Sequence, residues 1–165
     1  MNRDNPATNH CSMGAIMIVT EESVAVDRPA EAVFDFFAHP DGPAQFMTNV
    51  LSYKLISGEP AAVGSILHGV ADVAGLRLEV TEELIGAERG RYLHQRSTNG
   101  RFPYEVELRL EPDGGSTRVT WRQEAGLMPG LFVGLPIHIV SKLYARYVRS
   151  NLERAKVLLE SEVTP

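Results

Sequence analysis

Glu82 is the residue whose position packing alone explains least. After Gly75, the residues Leu76, Leu78, Val80, Glu82 and Leu84 occupy alternate positions, against Arg77, Glu79, Thr81 and Glu83. A strand there sets one carboxylate on an otherwise apolar face. A carboxyl group facing a half-dry interior has its pKa raised by desolvation, or is held ionised by a donor. Either state suits proton transfer or the gripping of a polar group on a bound molecule. A strand that ends or bulges near Thr81 would instead let Glu82 reach water.

The same alternation puts Phe102, Tyr104, Val106, Leu108 and Leu110 on one face, and Val119, Trp121 and Gln123 on another. Tyr104 and Trp121 are broad apolar rings with a hydrogen-bonding tip, suited either to orienting a flat molecule or to a core position with the tip satisfied by a neighbour. Gln95, inward with Leu93 and Ser97, and Gln123 would extend this polar lining. On the C-terminal helix Tyr144 and Tyr147 carry similar chemistry. Asn151 falls on or beside the apolar stripe, where a buried amide needs a partner and can serve as a binding group or as a helix–sheet clamp. His138, near the helix start, is a candidate general base. His68 and His94 alternate outward from Leu67 and Leu93. No Ser-His-Asp or Cys-His arrangement, nucleophile elbow, phosphate loop, dinucleotide fingerprint or metal triad is present. The acids Glu21-Glu22 and Glu82-Glu83 are sequence neighbours on strands, so the members of each pair face opposite sides and form no dyad.

The elements that position these groups are legible from period. Ile137, Val140, Tyr144, Tyr147, Val148, Leu152, Ala155 and Leu159 recur every three or four residues, with charges on the other side of the wheel, which predicts one long helix lying on something apolar. Ahead of it, β-type segments run over 15–26, 50–57, 65–74, 76–85, 91–98, 102–111 and 117–125, mostly separated by Gly, Pro and Asn-Gly turn signals. Between the first two, Asp27 is expected as an N-cap and Pro29 to open a short helix carrying Val33, Phe34, Phe36 and Phe37. A second short helix is expected at 43–47. Short loops imply an antiparallel meander. A sheet of about seven strands has one face to cover, and only the terminal helix is long enough to cover it.

The chain has 165 residues, enough for one domain with its own core. Its formal charge of −5 gives no electrostatic reason for a nucleic-acid partner. Cys11 is the single cysteine, so neither an intrachain disulfide nor a cysteine zinc site forms, in keeping with a cytoplasmic protein. His10 and Cys11 alone do not close a metal site. Neither a signal peptide nor stable membrane insertion is expected. Residues 1–13 read as a flexible tail, and 14–162 as a single domain. The apolar segment from Gly126 to Leu135 is expected as a buried connection closing the sheet, with a mobile entrance or a membrane or partner contact as the alternatives.

The segment VAVDRPAEAVFDFFAHPDG after the first strand, the lone Gly64 before SILHGVADVAG, the hairpin EPDGGSTRVTW and the closing YARYVRSNLERAKVLLE together resemble the START-like (SRPBCC) helix-grip superfamily, nearest to its polyketide cyclase/dehydrase-type members. The resemblance implies an α+β fold in which a curved antiparallel sheet grips the C-terminal helix and leaves a cavity between them. The function expected is binding of a hydrophobic or aromatic small molecule there, with Tyr104, Trp121, Gln95, Gln123, Tyr144, Tyr147 and Asn151 as candidate contacts. The alternative is a cyclase or dehydratase using the same cavity, with Glu82, His138 or a tyrosine moving a proton. No cofactor or metal is expected, and the protein would be a monomer or a small homo-oligomer.

Overall fold

The computed structural model describes residues 16–99, 102–127, 130 and 132–161. The expected tail, with His10 and Cys11, lies outside them. Seven strands form one antiparallel sheet in the order β1-β7-β6-β5-β4-β3-β2. β1 (Met17–Val26) occupies one edge, and β2 (Val50–Ser57) starts a meander from the other edge. The meander continues through β3 (Ile66–Val73), β4 (Leu76–Glu88), β5 (Tyr92–Asn99), β6 (Tyr104–Asp113) and β7 (Ser116–Gly126). Between the two edges the chain crosses as two short helices, α1 (Ala30–Ala38) and α2 (Gly42–Phe46). The long helix α3 (Ile137–Ser161) packs against β1 and α2.

Two local expectations are corrected. Helix α1 is entered through Pro29 rather than capped by Asp27. The Asp27 N–H instead donates to Glu160 Oε1 at 2.8 Å, and Arg28 Nε donates to the Leu159 carbonyl at 2.7 Å. These bonds tie the C-terminal end of α3 to the exit of β1, and the Arg28 charge also complements the negative end of the helix dipole. β4 runs on to Glu88 because Gly86 does not turn the chain. It sits at a bulge between the pairs Leu84–Gln95 and Gly86–His94, and the turn follows at Arg89-Gly90.

The core is asymmetric along α3. Val148, Leu152, Ala155 and Leu159 are buried in one cluster with Val24, Val26, Val119 and the aromatic residues of α1 and α2. In the first half of the helix Val140 is buried at 1 % exposed, but Ile137 and Leu143 are each 45 % exposed. Ile137 therefore leaves the apolar stripe expected of it. None of the described helices is long and apolar enough to cross a membrane.

Candidate functional site

Where the first half of α3 stands off the sheet, a cavity of about 320 Å³ lies beneath it. Its floor is the concave face of β2 to β7, its roof is formed by Leu143, Tyr144 and Tyr147 of α3, and α2 contributes Phe46. The lining is mostly aliphatic and aromatic, as a site whose affinity comes from area removed from water requires.

Glu82 points into this space. It is 7 % exposed, and its alternation with Leu78 and Val80 on the floor survives the register shift between Thr81 and Glu82. The bulge thus does not lift it to solvent. Each carboxylate oxygen accepts a hydrogen bond from one phenol: Oε2 from Tyr53 and Oε1 from Tyr104. Gln95 Nε2 donates to Tyr53 Oη at 3.3 Å, extending the chain of donors to β5. Burial raises the pKa of Glu82 above the ordinary carboxyl range, and the two phenol hydrogen bonds, Tyr104 before Tyr53, pull back against it. Burial and the neighbouring carboxylate push both phenols well above their usual range, so Tyr53 and Tyr104 are held as donors.

Tyr53 reaches Glu82 because β3 carries a glycine opposite it. The two residues are paired across β2 and β3, and a Cβ on Gly69 would lie 2.9 Å from Tyr53 Cδ2. Tyr104 is fixed from β6, its backbone N–H donating to Ser97 Oγ at 2.9 Å.

A second polar group lies under α3. Tyr147 Oη donates to Asn49 Oδ1 at 2.8 Å, joining the helix to the loop before β2. Burial raises the Tyr147 pKa, opposed by Asn151 and Asn49. Tyr144, also buried by the cavity, is pushed up to about 12. It packs obliquely against Phe102 and Phe132, at ring centroid distances of 6.4 and 6.1 Å.

The structure gathers most of the sequence-derived candidates around one space. Glu82, Gln95, Tyr104, Trp121, Gln123, Tyr144 and Tyr147 all line the cavity. Trp121 contributes a wall packed edge-on to Phe46, while its Nε1 is buried with no partner among the described residues. Gln123 is 7 % exposed, and no described residue hydrogen-bonds its amide.

Two candidates do not join them. His138 is exposed on the first turn of α3 and is not part of the lining. Asn151 is buried in the helix–sheet core, outside the lining. Its Nδ2 makes no hydrogen bond of good geometry, although the amide is near enough to offset part of the burial effect on Tyr147.

The buried connection expected over 126–135 is also corrected where that segment is described: Val133 is 82 % and Leu135 47 % exposed, and only Phe132 turns inward to the cavity. Met128, Pro129 and Leu131 lie outside the described residues. Tyr53 and Asn49 were not among the candidates. For Tyr53 the available signal was the Leu51-Tyr53-Leu55 alternation against Ser52 and Lys54, with Gly69 on a neighbouring strand.

Among the described residues, no group of His, Cys, Asp and Glu could hold a metal ion.

The fold recurs in solved structures. The protein TTHA0849 from Thermus thermophilus superposes with a TM-score of 0.75 at 22% identity, covering 88% of this chain and 99% of that one. A START superfamily protein from Mycobacterium smegmatis gives 0.72 at 14% identity, over 87% and 98% of the two chains. The ZhuI aromatase/cyclase from Streptomyces sp. R1128 gives 0.70 at 16% identity, over 90% and 97%. At these identities the likeness is one of fold. No curated protein matches the sequence significantly. The sequence model of one family, described as polyketide cyclase / dehydrase and lipid transport, matches residues 17–160. With nearly the whole of the sheet and of the gripped helix inside that match, the chain belongs to the polyketide cyclase/dehydrase and lipid transport family of the START-like helix-grip superfamily.

Proposed function

We propose that this protein binds a hydrophobic, largely aromatic small molecule in the cavity between the sheet and α3. The observation that carries this reading is the combination of an apolar space of about 320 Å³ with a single buried acid, Glu82, held by Tyr53 and Tyr104. The apolar walls supply affinity without direction. At about 25 cal/mol per Å², a ligand hiding some 400 Å² gains roughly 10 kcal/mol, and an association cost of about 4 kcal/mol leaves about 6 kcal/mol, a Kd of tens of micromolar. Glu82, Tyr104, Gln95 and Gln123 supply the orientation. On this reading the protein works in the cytoplasm, without membrane insertion, as a monomer or small homo-oligomer. The test is native mass spectrometry of the freshly purified protein, followed by titration with aromatic probes. A retained or added molecule at unit stoichiometry supports the reading, and repeated failure to bind any member of an aromatic and fatty-chain series counts against it.

A second reading, a cyclase or dehydratase, is favoured by the cluster of Glu82 with Tyr53 and Tyr104. A raised-pKa carboxyl between two phenols can take a proton from a carbon beside a carbonyl, while a neighbouring phenol hydrogen-bonds the oxygen on which charge develops. The cavity walls would contribute by folding a flexible chain into the reactive conformer. Glu82→Gln tests the enzyme reading: turnover of an accepted substrate falls by about 100-fold or more if Glu82 is the base, whereas a carrier still takes up an uncharged, wholly apolar probe.

A further inference from the structure

The charges around the cavity do not balance. Glu82 is the one carboxylate in the lining, and among the described lining residues there is no lysine, arginine or histidine. The basic groups on the neighbouring strands belong to the other face of the sheet and already have acids. His68 lies 3.6 Å from Glu79, Arg96 3.6 Å from Glu83, and His94 3.3 Å from Glu105. Tyr53 and Tyr104 donate to the carboxylate but bring no charge, and each occupies only one lone pair of the oxygen it meets. Burying a carboxylate among apolar walls is costly, and among the described lining residues none carries a positive charge to offset it, which a cationic group on the ligand would do.

The walls point to the sign and kind of that charge. Nine of the lining residues are aromatic, among them Tyr53 and Tyr104 flanking the carboxylate and Tyr147 on the roof. A lining this rich in aromatic rings around one acid suits a weakly hydrated cation on an apolar body. Deepening the binding reading above, on which this rests, we infer that the ligand is a hydrophobic amine. Its ammonium group lies against Glu82 between Tyr53 and Tyr104, with its aromatic or aliphatic body along the floor toward Trp121. The Gln123 amide, on the alternate position from Trp121 and in the lining, then meets a second polar substituent on that body. Burial of the acid works in the same direction, since a bound ammonium relieves the cost that raises the Glu82 pKa.

The test is isothermal calorimetry at neutral pH with three matched probes: naphthylmethylamine, its isostere naphthylmethanol, and methylnaphthalene. Wild-type protein and Glu82→Gln are compared. The expected result is amine binding at least tenfold tighter than the alcohol in the wild type. In Glu82→Gln that preference falls to less than twofold, through loss of amine affinity, while binding of methylnaphthalene, which offers Glu82 no polar group, is the control. Equal or tighter binding of the alcohol by the wild type overturns the amine inference and leaves the small-molecule reading standing, with Glu82 then reading a neutral oxygen group. Binding of none of the three overturns both. Should Glu82→Gln fail to fold, the wild-type ratio alone decides, supported by the amine shifting the Glu82 carboxyl resonance in NMR where the alcohol does not.

Discussion

Tyr53 lies directly opposite Gly69, its ring occupying the space that a side chain on β3 would fill. That vacancy lets a residue from the edge strand lean across β3 and reach Glu82 on β4. Gly69→Ala places a methyl group against the ring and should lift it off the carboxylate. The expected cost is about 1 to 2 kcal/mol of stability from overpacking, measured by urea denaturation. A several-fold loss of probe affinity should accompany it.

Removing either phenol hydroxyl leaves one oxygen of a buried carboxylate without its donor. Tyr53→Phe and Tyr104→Phe are each expected to destabilise the protein by about 1 to 3 kcal/mol. Because both hydrogen bonds lower the Glu82 pKa against burial, each variant should also move it further upward. Carboxyl-carbon NMR titration reads this directly, and a downward shift would contradict the assigned geometry.

The direction of the Glu82 shift fixes a pH dependence. Its folded pKa stands above the ordinary carboxyl value of 4.5, so the folded state holds a proton that the unfolded chain has released. The contribution of Glu82 to stability is therefore largest below the unfolded pKa and declines as pH rises through the folded one. The groups facing it are Tyr53 from β2, Gln95 from β5, Tyr104 from β6, and Tyr144 and Tyr147 above, none of them charged at these pH values. The melting temperature of Glu82→Gln minus that of the wild type is expected to rise with pH over this range. A flat difference would mean that Glu82 does not titrate in a buried site.

The two halves of α3 should respond differently to truncation. Leu152 is fully buried in the core cluster, and Leu152→Ala is expected to cost about 3 kcal/mol. Leu143 lines the cavity with nearly half its surface exposed, so Leu143→Ala should leave stability within about 1 kcal/mol and alter probe affinity instead. Equal costs in denaturation experiments would mean that the first half of the helix is packed as tightly as the second.

The cavity floor was readable wherever strand alternation was unbroken. β6 and β7 present Tyr104, Val106, Trp121 and Gln123 on the face their apolar pattern assigns, and Glu82 stands out on β4 for the same reason. Tyr53 was hidden because β2 is an edge strand with irregular pairing after Val50 and Leu55, which leaves Leu51 and Ile56 about half exposed and blurs its period. Asn49 comes from a loop, where no period applies. His138 and Asn151 show the limit of helical spacing. It groups residues on a face, but the rotation and lift of that face above the sheet decide which of them meet core, cavity or water. Val140 and the stripe from Val148 to Leu159 seat as their pattern requires, while Ile137, nominally on the same stripe, is 45 % exposed in the first turn.

The most direct test of the account is whether filling the cavity abolishes binding. Ala71 lies on its floor and takes no part in the hydrogen bonds to Glu82, and Ala71→Trp fills part of the space. In a fluorescence anisotropy titration with anthracenemethanol, the wild type is expected to saturate at one probe per chain in the micromolar range. The variant, folded by circular dichroism, should show at least a tenfold loss. A probe that binds both proteins equally would place the ligand elsewhere and contradict the account.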